Sequence, residues 1–290
     1  MLHLLRKSLL SMIGIVLIRI LLLVALFAPL LASEHPSYVE VSTEQGTTRT
    51  EERWDIHFDK KLLPPSPQHF FGTDDYGRDL FSMVVYGSQT SLRICLLVVL
   101  ISTVIGVLLG GIAGYFGGVV DEALMRVTDV FLAIPYLILA MAIAAALGRS
   151  IDNIMQAMII TWWPTYARLM RGQVLIVREQ QYVEAARSVG ASNSRILFRH
   201  ILPNSMAPLL VQITLDLGAV LLVAAGLSFI GLGASPGTAE WGLMISEGRT
   251  FMFHAWWYVT FPGLAIVMVV LGFNLLGDGL RDVTDPKLRR

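Results

Sequence analysis

Adjacent carboxylates at Asp74 and Asp75 are the first place to look for general acid–base chemistry. They fall where a helix is expected to start, near Thr73 or Asp74, and there N-terminal capping and complement of the helix dipole account for them. No paired-carboxylate catalyst is formed. The six histidines are scattered, without HxxxH or HExxH spacing. His35, His57 and His69 share one hydrophilic segment and are the set a metal could gather; ordinary surface histidines are the alternative, and no metal site is assigned. The one cysteine, Cys95, excludes an intramolecular disulfide and any cysteine-rich metal site. The chain has no GxxxxGK(S/T) run, so it cannot bind ATP by a P-loop. With no HExxH, no GxSxG and no facing aspartates, a catalytic constellation is absent, and the chain reads as something other than an enzyme.

The polar chemistry concentrates instead in "QYVEAARSVGASNSRILFRHILPN", from Gln181 to Asn204, between two apolar stretches. Tyr182 to Val189 favours helix, and Gly190 supplies a left-handed stop. Ser192 or Asn193 can cap a second helix through "SRILFRHIL", which Pro203 ends. Glu184 and Arg187, three apart, can pair along one face. The expected product is a short helical hairpin at the membrane surface, with Ala185 and Ala186 as a low-profile patch for another protein.

The rest of the chain must hold that hairpin. Of 290 residues 54% are hydrophobic and 15% charged, with mean hydropathy +0.63; soluble domains carry about a quarter charged residues. A polytopic membrane protein is expected. Lysines plus arginines equal aspartates plus glutamates, 22 each, so net charge gives no ground for a nucleic-acid partner. Apolar stretches of spanning length recur at 9–31, 91–116, 127–147, 152–172, 205–232 and 259–280, predicting six helices. The first follows Arg6 and Lys7 like a signal peptide, with "LLASE" a weak cleavage site, but its length favours an uncleaved span. With the N-terminus in the cytoplasm, the inside segments hold thirteen Lys and Arg: residues 6, 7, 126, 168, 171, 178, 187, 195, 199, 281, 287, 289 and 290. The short outside loops hold only Arg149 and Arg249, so both termini are expected inside. The organisation is then an N-terminal helix (1–32), an external hydrophilic segment (33–90) and a core of five helices (91–290) carrying the cytoplasmic loop 179–204.

In the external segment a small β-hairpin turning at Gly46 is expected, then an extended proline-rich stretch. Gly106, Gly110, Gly114 and Gly118, four apart, form a stripe for close helix packing, or else a hinge. Pro135, Pro164 and Pro262 are expected to kink spans. Arg19 and Arg93 lie near enough to span ends to snorkel. Asp216, midway along the fifth span, must face a pathway or the bundle interior, or serve as a structural hydrogen-bonding group.

The hairpin motif resembles the cytoplasmic loop of ABC-type importer membrane subunits: EAA, three residues, Gly, nine residues, Ile, one residue, Leu-Pro. Glu184-Ala185-Ala186, Gly190 and Leu202-Pro203 match; His200 occupies the isoleucine position, with Ile201 beside it. "FFGTDDYGRDLFSMVVYGSQTSL", "GLSFIGLGASPGTAEWGLMISEGR" and "NLLGDGLRDVTDPKLRR" are similar to the second permease subunit of dipeptide, oligopeptide and nickel importers, over about 70–290. Many relatives have a glutamate where this chain has Ala224; its task would be absent or moved to Asp216.

The resemblance implies an all-α membrane protein with the MetI-like type I importer permease bundle. It would form half of an alternating-access pathway in the cell membrane, paired with a homologous permease as a heterodimer. Two ATP-binding subunits would carry ATP and Mg, leaving no cofactor in this chain, and an extracytoplasmic binding protein would deliver substrate. Glu184, Ala185, Ala186, Arg187, Gly190, Arg195, His200, Leu202 and Pro203 would meet the ATPase. Peptides are the expected cargo; nickel complexes, glutathione or oligosaccharides are alternatives on the same scaffold. An ion-coupled secondary transporter is a remote alternative, supported only by Asp216.

Overall fold

The computed structural model of the protein describes residues 9–42 and 48–284. Helix α1 (Leu9–Leu26) is apolar apart from Ser11 and Arg19, and is followed after Phe27 by the single turn α2 (Ala28–Leu31). Strands β1 (Ser37–Ser42) and β2 (Thr48–Arg53) pair antiparallel, with Ser37 opposite Arg53 and Ser42 opposite Thr48. The expected Gly46 turn lies outside the described residues. Trp54 follows β2 and is buried edge-to-face on Tyr86, fixing the hairpin to the next helix.

That helix, α3 (Leu80–Phe116), starts later than Thr73 or Asp74 and earlier than the apolar stretch at 91. Its cap is Asp79, whose carboxylate accepts from the Ser82 amide at 2.8 Å. Asp74 instead closes a tight loop by accepting from the Tyr76 and Arg78 amides. At 1.5 Å per residue the 37 residues of α3 reach about 55 Å, so one helix connects the hairpin end of the bundle to the opposite end.

α4 (Gly118–Ala133) and α5 (Tyr136–Leu147) meet at 86°. Pro135 makes the break: it donates no hydrogen bond and forces Ile134 into extended backbone, φ −99° and ψ 131°. α6 (Ile151–Val177) contains Pro164 without ending there. α7 (Gln181–Ser188) and α8 (Asn193–Arg195) flank Gly190. A π-helical turn (Ile196–Ile201) and a 3-10 turn (Pro203–Ser205) join α8 to α9 (Met206–Phe229). α10 (Trp241–Gly248) is capped by Glu240, which accepts from the Gly242 and Leu243 amides, and α11 (Trp257–Thr284) closes the bundle.

The all-α membrane bundle is as expected; the count of six apolar spans is not. Among the described residues four helical segments are long and apolar enough to cross a membrane, or five with the bent α4–α5 pair. The difference is α6, which carries Asp152, Arg168 and Arg171 along its length. One side of it is buried in protein: Met158, Tyr166, Ala167, Met170 and Val174 are inaccessible to solvent. Pro203 is a second correction. It does not stop the helix, which runs from Asn193 to Phe229 as one segment. The Leu202 amide bonds back to the Leu197 carbonyl, and this wider turn makes room for a proline ring that would otherwise strike the preceding turn.

Candidate coupling hairpin and buried polar centres

α7 ends in a Schellman motif. Gly190 has φ +80°, its amide donates to the Arg187 carbonyl at 3.0 Å, and the Ala191 amide donates to the Ala186 carbonyl at 3.1 Å. The side chain of Ser192, the actual cap of α8, accepts from the Arg195 amide. The hairpin folds on its own small core: Val183, Ile196, Leu197, Ile201 and Leu202 are buried. Outward it presents Glu184, Ala185, Arg187 and Arg195, with Val189 84% and Phe198 55% exposed beside them. Ala186 and His200 are half-buried and Pro203 is exposed. Glu184 and Arg187 do not form the expected ion pair with each other.

Three contacts tie the hairpin region to the far end of α3. Leu202 fits against Gly111, Tyr115 Oη donates to Asn193 Oδ1 at 2.8 Å, and Arg178 Nη1 donates to the Gly114 carbonyl at 2.8 Å. Beside them Arg171 holds Asp121 of α4 through two bonds, 2.7 and 2.6 Å.

Gly106, Gly110 and Gly114 face α6. A Cβ at Gly106 would overlap Tyr166, one at Gly110 would overlap the Ala167 carbonyl, and one at Gly114 would lie 2.9 Å from the Arg171 carbonyl. Gly118 is not part of this row: it opens α4 with φ +54° and has nothing within 4 Å of the Cβ position. The helix break at Gly117 turns it off the stripe.

Asp216 lies inside the bundle, 7% exposed, accepting from Gln212 Nε2 at 2.9 Å, with Tyr166 and Trp162 of α6 as its other polar neighbours. Its Oδ2 and the Tyr166 hydroxyl have no bond in this conformation. Ala224 is buried and apolar-packed.

At the opposite, β-hairpin end of α3 sits a second buried centre. Arg78 Nε reaches Asp74 at 2.5 Å and Nη2 reaches Glu247 of α10 at 3.5 Å, while Tyr258 Oη of α11 donates to Asp75 and Glu247. Burial raises the pKa of Asp74 and of Glu247, against the pull of Arg78. The positions of Asp74 and Asp75 in the sequence suggest caps and carry no sign of this cluster, whose partners lie 169 and more residues away. No His, Cys, Asp and Glu grouping that could hold a metal occurs among the described residues.

Residues 106–290 match the family described as binding-protein-dependent transport system inner membrane component, and residues 1–65 match the N-terminal transmembrane domain of oligopeptide transport permease C. The chain belongs to the binding-protein-dependent permease family. Among relatives of this permease, a probable D,D-dipeptide transport system permease protein of Escherichia coli is 47% identical over 98% of the chain and 89% of the relative. A dipeptide transport system permease protein of Alkalihalophilus pseudofirmus is 44% identical over 98% and 88%. A glutathione transport system permease protein of Pectobacterium atrosepticum is 44% identical over 80% and 77%. In fold, the permease is similar to a chain of the MetNI methionine ABC transporter in an inward-facing conformation, with TM-score 0.56 and 19% identity over 70% of this chain and 97% of that one. It is a multi-pass membrane protein and a transport component.

Proposed function

We propose that this chain forms half of the pathway of an ATP-driven importer of di- or oligopeptides. The observation that carries the reading is the hairpin 181–203: a preformed bend whose buried side is satisfied and whose exposed side offers Ala185, Val189 and Phe198 among charges. Such a surface fits a groove on a separate ATPase subunit, which would bind ATP and Mg. Glu184, Ala185, Ala186, Arg187, Gly190, Arg195, His200, Leu202 and Pro203 make up the docking element, and Leu202, Tyr115 and Arg178 pass its movement to α3. A homologous permease would cover the exposed α4–α5 pair and complete the pathway. An extracytoplasmic binding protein would meet the β-hairpin end, and both termini would be cytoplasmic. Peptide cargo is supported by relatives named for dipeptides at up to 47% identity over almost the whole chain. Asp216, buried between α6 and α9 here, would reach the pathway only when those helices part.

The test is uptake into vesicles holding the permease pair, the ATPase subunits and the binding protein. ATP should drive uptake of a labelled dipeptide, and Ala185→Cys should cross-link to the ATPase. Uptake of glutathione but not dipeptides would move the cargo; uptake driven by a proton gradient without ATP would overturn the reading.

A further inference from the structure

α1 and α11 run antiparallel, and their backbones come close at Gly14 and Gly272. There a Cβ on Gly14 would lie 2.8 Å from the Leu276 amide nitrogen and 2.9 Å from the Gly272 carbonyl, and one on Gly272 would lie 3.1 Å from Leu17 Cβ. On the β-hairpin side of that contact a groove of about 250 Å³ is lined by Leu17, Leu21 and Val24 of α1 and Leu264, Ala265 and Met268 of α11. Val84, Val85 and Ser88 of α3 form its floor. Phe71, stacked on Phe261 at 4.0 Å, and Trp241 roof its end.

The groove has no free polar atom to offer. The Ser88 hydroxyl is donated to the Val85 carbonyl, and the Trp241 indole N–H to the Val84 carbonyl at 3.0 Å. A peptide or a water chain would find no partner there, so the occupant must be hydrocarbon. On the order of 150 Å³ already accepts a benzene-sized guest when the lining is apolar. Both walls are membrane spans, and the flank of α1 bearing Val16, Ile20 and Leu23 is exposed, so the groove opens sideways into the acyl-chain layer.

We propose that this groove binds one acyl chain of a membrane phospholipid, held between α1 and α11 and capped by the Phe71–Phe261 pair. The chain fills the space beside the Gly14–Gly272 contact and so supports α1 against α11 and α3. Trp241 reports on it, because its ring lines the groove while the protein shields it from water, at 2% exposure.

The assembled importer is reconstituted in vesicles of phosphatidylcholine brominated at successive acyl positions. The Trp241 contribution is taken as the fluorescence difference between wild type and Trp241→Phe. Bromine should quench it with a clear dependence on position along the chain, and Ala265→Phe, which fills the groove, should remove the quenching. By mass spectrometry the detergent-purified wild type should retain one phospholipid more than Ala265→Phe; this comparison also serves if Trp241→Phe folds poorly. Absence of quenching in wild type together with equal lipid retention would overturn the proposal. Quenching in the permease alone that vanishes on assembly would assign the groove to a partner helix, with the same consequence.

Discussion

The bend at Gly190 gives the sharpest quantitative handle on the hairpin. With φ at +80° and nothing within 4 Å of the Cβ position, a substitution there meets backbone strain and no steric clash. An L-residue in left-handed backbone costs roughly 1–2 kcal/mol, while asparagine tolerates it better. At 1.4 kcal/mol per tenfold, Gly190→Ala should reduce the fraction of correctly bent hairpins by roughly 5- to 30-fold wherever the bend is marginally stable, Gly190→Asn less, and Gly190→Val most. The small buried core of Val183, Ile196 and Ile201 lies outside the bend, so insertion and helix content should not change. The assay is peptide uptake per ATP hydrolysed in proteoliposomes, with circular dichroism as the control. Uptake per ATP should fall in the order Gly, Asn, Ala, Val. Equal activity across the series would refute the argument that a preformed left-handed turn is needed for coupling. Equal loss in Asn and Val would refute the strain argument.

Gly110→Leu should lower the melting temperature of the purified complex by an amount equivalent to about 1–3 kcal/mol, the usual cost of overpacking, because its Cβ overlaps the Ala167 carbonyl. Gly172→Leu, on open α6 surface, should leave it unchanged or raise it. Burial raises Asp74 and Glu247, so the folded state holds their protons more tightly than the unfolded chain does. Stability should therefore fall as pH rises from about 4, the unfolded carboxylate range, through the raised values. Glu247→Gln should flatten that decline in a thermal-shift series. Asp216→Asn keeps the oxygen that accepts from Gln212, so assembly should be preserved while uptake falls; unchanged uptake would remove Asp216 from the pathway.

The elements readable from sequence are those set by local pattern. Long apolar runs, the proline break at 135 and the Gly-Ala-Ser stretch after α7 each act through a residue's own backbone or its transfer into hydrocarbon. The hairpin bend at Gly190 was readable because a left-handed stop and a following cap leave a local signature. Asp74 and Asp79 show the limit. Both are aspartates in one short segment, and which one closes a loop and which one caps α3 appears only in the folded backbone, while the Arg78–Glu247 contact across 169 residues has no local signature. α6 shows another: its charges read as compatible with a span by length, yet its burial against the Gly106–Gly114 row is a property of two helices together. The π turn before Pro203 was hidden for a related reason, since a proline read alone ends a helix, and only the widened turn lets it continue.

The most direct test of the central claim is ATP-driven dipeptide uptake by the reconstituted complex, with the hairpin intact and with Glu184→Arg, whose carboxylate is exposed and makes no ion pair among the described residues. Uptake that requires ATP, and that Glu184→Arg abolishes while the permease still inserts and the ATPase still hydrolyses, is the predicted result. Uptake unaffected by the substitution, or sustained by an ion gradient without ATP, would contradict the account.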